Sequence, residues 1–148
     1  MTSADDVREI ENLVRERADA VGLRQSEVLL SREHPDVLRF PLLPPTAARG
    51  RASTAAALSA WFTGYADGPG YTVHDIEADV VGDLAWCAFF YHVTGVLASG
   101  DEVDMWVRSS LVYRRIDGVW QIVHSHESVP FDAGTGQALI SEPPPPIA

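Results

Sequence analysis

DMWVRSSLVYRRIDGVWQIVHSHESVPFD, residues Asp104 to Asp132, is the stretch that decides the fold. Side chains alternate in polarity on both sides of Asp117-Gly118, the period-two signature of β-strands. Asp-Gly between two such runs is a strong short-range hairpin signal. One face of the first run carries Asp104, Trp106, Arg108, Ser110 and Val112; the other carries Val103, Met105, Val107, Ser109, Leu111 and Tyr113. One face of the second run carries Trp120, Ile122, His124, His126 and Ser128; the other carries Val119, Gln121, Val123, Ser125 and Glu127.

The turn sets which faces coincide. A three-residue loop with a glycine bulge pairs Arg115 with Val119, and so places Arg108 opposite His126 and Ser110 opposite His124. A two-residue turn pairs Ile116 with Val119 and places Arg108 opposite Glu127, a favourable cross-strand ion pair. The bulged turn is the preferred expectation, because it gathers Trp106, Trp120, Arg108 and both histidines on one surface.

Working outward, residues 84–97 and 71–81 read as two more strands joined at Gly82-Asp83, with DGPG at 67–70 as the turn that opens the sheet. Before it, residues 52–66 read as a helix with Leu58, Trp61, Phe62 and Tyr65 on one face. PLLPPTAARGR is a connection, DVLRF a short strand, and residues 24–31 a weaker helical segment. At the start, Val7, Ile10, Val14, Ala18 and Val21 recur at helical spacing over residues 4–21, with Ser3 and Asp6 as a capping box and Gly22 as a stop. Helices first and hairpin-linked strands afterwards make an α+β domain, with helices on one face of a curved antiparallel sheet. The domain is expected over residues 1–131, with an extended proline-rich tail over 132–148.

The 148 residues suit one domain with its own core. A net charge of −10 disfavours nucleic acid and anionic membranes as partners. All eleven basic residues are arginine, which removes Schiff-base lysine chemistry. Cys87 is the one cysteine and lies in the apolar run AWCAFFY, where a buried, inert thiol is expected. The acidic, polar N-terminus carries no signal-like apolar core, so a cytoplasmic protein is the simplest expectation.

The pattern W-x-R-x-S-x-V-x-R-R-x-D-G-x-W-x-I-x-H-x-H-x-S-x-P-F within Trp106–Phe131 resembles the C-terminal signature of the SnoaL-like branch of the nuclear transport factor 2-like superfamily. GDLAW at 82–86, FPLLPP at 40–45, ARGR at 48–51 and the helix holding AWF resemble further segments of that group. The resemblance covers roughly residues 35–138. It implies a curved sheet wrapped around three helices, a cone-shaped cavity, and homodimers formed through the outer sheet face. Catalytic members of the group, which include isomerases, dehydratases and cyclases, use an aspartate base or a His-Asp pair inside the cone. This sequence departs from the group at Phe40-Pro41-Leu42, where many relatives carry an acid after the phenylalanine, and the usual Asp-Asp near the strand start is reduced to Asp36. The resemblance therefore carries no carboxylate onto that position.

Two readings follow. In the first, the domain is a cofactor-independent enzyme moving a proton on a hydrophobic, carbonyl-bearing small molecule. His126 is then the acid/base, His124 orients it, and Arg108 stabilises developing negative charge. Trp106, Trp120, Ser128, Trp61, Tyr65, Trp86, Phe90 and Asp104 are the candidate lining residues, although aromatics at such spacings also build plain core. In the second, the same fold is a non-catalytic binding or dimerisation module and the histidines are structural. His-x-His with His92 is a weak metal pattern, no carboxylate follows at a typical spacing, and no metal is expected.

Overall fold

The computed structural model describes residues 2–147. Helix α1 spans Ser3–Gly22, α2 Ser26–Ser31 and α3 Arg51–Thr63. The strands are β1 Glu33–Phe40, β2 Ala48–Arg49, β3 Tyr65–Val81, β4 Leu84–Leu97, β5 Glu102–Ile116 and β6 Val119–Ser128. They form one six-stranded sheet in the order β2-β1-β6-β5-β4-β3, curved and unclosed. All neighbours are antiparallel except β1 and β6, which run parallel. This is the α+β architecture read from the sequence.

The cap of helix α1 is Thr2, one residue before the expected Ser3. The Thr2 hydroxyl accepts from the Asp5 amide at 3.1 Å and the Asp5 carboxylate accepts from the Thr2 amide at 3.1 Å. That leaves Asp6 free to take the Arg115 guanidinium at 3.0 Å, tying the helix to the sheet. Ile10, Val14, Ala18 and Val21 are buried along one stripe of α1. Ile10 and Val14 meet Cys87, Phe89, Tyr91, Val107, Leu111, Tyr113, Trp120 and Ile122 in one cluster, which defines the helix-covered face of the sheet.

DGPG is not a turn. Strand β3 already begins at Tyr65, and Asp67-Gly70 is an irregular stretch inside it, pairing Tyr65 with Leu97, Asp67 with Val96 and Gly70 with Thr94. Gly95 allows this close approach, since a Cβ there would lie 2.6 Å from the Asp67 carbonyl oxygen. Strand β1 also starts earlier than DVLRF, because Arg32 C=O accepts from the Ile122 amide at 2.7 Å and brings Glu33 beside β6.

The decisive correction concerns Asp117-Gly118. Both residues have positive φ, 52° and 78°, and Ile116 pairs with Val119, so the connection is a two-residue turn of the kind that matches strand twist. A bulge then follows within β6. Tyr113 pairs with Ile122 and Val112 with His124, so Val123 is the extra residue.

After β6 the chain folds back. Phe131 bridges Ala138, the Leu139 amide donates to Pro130 at 2.8 Å, and the Trp106 amide donates to Ile140 at 2.7 Å. This segment takes the ladder position that β6 vacates beyond Arg108.

Candidate functional site

The Val123 bulge sorts the expected site residues. Trp120 and Ile122, before it, are buried on the helix-covered face. His124, His126 and Ser128, after it, pair with Val112, Ser110 and Arg108 and point to the opposite, outer face. Arg108 therefore lies opposite Ser128, not His126 as expected, and its Nε donates to the Ser128 hydroxyl at 3.0 Å. The cross-strand rows Trp86-Val112-His124 and Phe90-Arg108-Ser128 share that outer face. His92 pairs with Trp106 and stacks on it at 4.3 Å, and bonds Asp104 at 2.6 Å. His124 Nδ1 lies 2.8 Å from the Leu38 carbonyl oxygen, so it must be the donor there. The expectation that Arg108, Trp106, Trp120 and both histidines converge is thus corrected. Trp120 sits across the sheet from the others, under the Arg115 guanidinium at 4.6 Å.

Trp61 and Tyr65 join the interior. Trp61 lies edge-on to Tyr65 and to Tyr71, each at 6.3 Å between centroids. Tyr71 stacks on Tyr91 at 4.7 Å. The Tyr91 hydroxyl then donates to Glu127 Oε2 at 2.8 Å. Glu127 pairs with Ser109, and Ser125 with the buried Leu111, so the bulge turns both toward the helix-covered face.

Arg17 enters this group from α1, on the stripe that holds Ile10, Val14 and Val21. It keeps some accessible surface but is enclosed by protein on the longer scale that governs its charge. Burial pulls its pKa down, yet Tyr71, Glu33, Tyr113 and Glu127 together hold it above its ordinary value. No carboxylate among the described residues forms an ion pair with it. Burial pushes the phenols of Tyr71, Tyr91 and Tyr113 above their ordinary value, and for Tyr91 the Glu127 carboxylate adds to the effect. Burial also lifts the Cys87 thiol to about 12, in keeping with an inert side chain.

Two spaces adjoin this group. One, beside Arg17 and Tyr113 beneath α2, measures about 10 Å³, room for a single water. The other is an open groove of about 480 Å³ lined by the Phe40–Ala47 segment, His126 and Glu127. Phe40 stands edge-on to both histidines, at 4.9 and 5.5 Å. Of the three expected catalytic side chains, His126 alone lines the groove; Arg108 and His124 are bonded elsewhere. No three His, Cys, Asp or Glu side chains gather as metal ligands among the described residues.

The sequence pattern of the SnoaL-like domain matches residues 10–132. The chain belongs to the SnoaL-like domain family. Solved structures agree on the fold. A nuclear transport factor 2-like protein of unknown function from Pseudomonas putida superposes with a TM-score of 0.87 at 22% identity, covering 97% of this chain and 100% of that one. A nuclear transport factor 2-like superfamily protein from Salmonella enterica gives 0.79 at 19% identity, covering 93% and 100%. A proposed dehydratase of the same family from Streptomyces avermitilis gives 0.75 at 18% identity, covering 86% and 97%. No curated protein matches the sequence.

Within this SnoaL-like fold, Phe40-Pro41-Leu42 lacks the acid that its relatives were expected to carry. Glu127 faces the same groove from β6. By strand parity Glu127 lies on the face opposite the histidines, and the sequence offers it only as an ion-pair partner for Arg108. Arg17 had a legible signal, a lone cation on an apolar helical stripe, whereas Tyr91 and Tyr71 had none beyond their strand parity.

Proposed function

We propose that this SnoaL-like chain is a cofactor-independent enzyme that seats a hydrophobic, carbonyl-bearing small molecule in the Phe40–Ala47 groove. It moves a proton on that molecule, as in an isomerisation, dehydration or cyclisation. The observation that carries the reading is the Tyr91–Glu127 hydrogen bond of 2.8 Å, made by the one carboxylate residue that lines the groove. Tyr91 occupies one carboxylate oxygen, which fixes the carboxylate plane and leaves Oε1 for a substrate proton. His126, on the adjoining wall, is placed to donate to the carbonyl oxygen or carry the proton onward. Arg17, across the interior, offsets the charge of the carboxylate. The proposed dehydratase from Streptomyces avermitilis has the same fold and supports this class of reaction.

Deuterium exchange from D₂O into cyclic ketones and hydroxyketones, followed by NMR, tests it. Glu127→Gln should cut exchange at the carbon beside the carbonyl by about 100-fold or more, and His126→Ala by less. Exchange by Glu127→Gln at the wild-type rate would sink the assignment.

We also propose that the chain forms a homodimer through its outer sheet face. Val81, Leu84, Trp86 and Val119 are exposed on the hairpin ends of that face, an apolar patch of the kind that marks association. Sedimentation of Trp86→Glu against the parent chain checks this; unchanged mass for both at micromolar concentration would refute it.

A further inference from the structure

We infer that the groove selects an uncharged or cationic apolar molecule and rejects carboxylates. The inference rests on the proposed binding site and names the class of molecule it admits. The groove is lined by the mainly apolar segment 40–47, with His126 and Glu127. No arginine lines it. Its one full charge is the Glu127 carboxylate, and Tyr91 engages only Oε2 of that group. The other oxygen, Oε1, has no hydrogen-bond partner among the described residues. An apolar groove whose one acidic lining residue keeps a carboxylate oxygen without a protein partner accepts a donor, an N–H, an O–H or an activated C–H, and repels a second carboxylate.

The nearby cations do not reverse this sign. Arg39 precedes the groove on β1, pairs with Ser125 and donates to the Ser53 hydroxyl of α3 at 3.5 Å; its Nε is buried without a partner among the described residues, and the residue does not line the groove. Arg108 is bonded to Ser128 on the outer face. Arg17 lies behind Glu127 in the interior and does not line the groove. His126 is the one wall residue able to gain positive charge, so the discrimination is sharpest where imidazole is neutral. The chain's net charge of −10 acts in the same direction at longer range.

Three probes sharing one ring system separate the cases: 2-acetylnaphthalene, 2-naphthylmethylamine and 2-naphthoate. Each is titrated at about pH 8 while the backbone amides of 40, 42, 43, 46, 47, 126 and 127 are followed by NMR. The neutral and cationic probes should shift these amides, with 2-naphthoate about tenfold weaker or worse. Glu127→Gln should bring the three affinities within about threefold of one another. Tyr91→Phe, which keeps the carboxylate, should preserve the ranking, so the result does not depend on one variant folding. Naphthoate binding as tightly as the ketone would overturn the inference while leaving a groove ligand in place. Failure of every probe to move these amides would overturn both the inference and the proposed site. An intact ranking with no deuterium exchange would remove the catalysis and leave the selectivity standing.

Discussion

Removing the Tyr91 hydroxyl by Tyr91→Phe is the sharpest perturbation of the proposed site. The ring is buried and stacked on Tyr71 at 4.7 Å, and phenylalanine retains that packing. What is lost is one hydrogen bond of 2.8 Å to an acidic side chain. A hydrogen bond to a charged group contributes roughly 1.5–3 kcal/mol. Glu127 is half-buried and regains some hydration, so the lower part of that range applies, about 1.5 kcal/mol. Glu127→Gln keeps the shape and removes the charge, and should cost about 1 kcal/mol. Because Tyr91→Phe removes and Glu127→Gln weakens the same contact, the double variant should be less destabilised than their sum, with a coupling of about 1 kcal/mol. Urea unfolding of the four proteins with a common m-value measures this. A coupling below about 0.3 kcal/mol would mean that the two side chains are independent in solution, and the argument for a held carboxylate would fall with it.

Alkaline pH should unfold the protein through its interior phenols. The folded pKa values of Tyr71, Tyr91 and Tyr113 are raised, chiefly by burial. Their contribution is therefore complete below the unfolded value near pH 10 and is lost above it, at up to about 4 kcal/mol per pH unit for three phenols; Cys87 begins to add to the loss near pH 9. Unfolding free energy measured from pH 8 to 11 beside tyrosinate absorbance checks this, and a flat profile would contradict it. Deleting Val123, the extra residue, should straighten β6 while keeping Val112–His124, Ser110–His126 and Ser109–Glu127 as partners, so that His124 and His126 stay on the outer face and Glu127 on the inner. In that background Tyr91→Phe should still cost about 1.5 kcal/mol, and a cost under about 0.5 kcal/mol would argue that Val123 is not the extra residue.

Local features were legible where they depend on local physics. The spacing of Ile10, Val14 and Val21 gave α1, and alternation gave β5 and β6, because burial against one surface imposes the period. DGPG misled because glycine and proline mark any departure from regular backbone, and here the departure is an irregularity inside β3 that Gly95 accommodates from β4. The placement of the candidate side chains was half legible. His126 reaches the groove, but Arg108 and Trp106 do not. Their faces were assigned from parity, and parity holds only along an unbroken ladder.

The break in parity has a cause outside β6. Strand β1 runs parallel to β6, and its own ladder slips at the same place: Glu33 pairs with Ile122, whereas Leu38 pairs with His124. Five residues of β1 advance against two of β6 there. The bulge at Val123 and the slip in β1 are one event, a joint bend of the two strands next to the Pro-rich segment that walls the groove. Had β6 stayed regular, Trp120, Ile122, His124 and His126 would all face the helices, and Glu127 would face solvent. The bend exchanges two imidazoles for one carboxylate on the inner face and sets that carboxylate against Tyr91. A chain without an acid after Phe40 thereby presents an acid to the same groove from the neighbouring strand, through a long-range pairing that no local stretch of its sequence encodes.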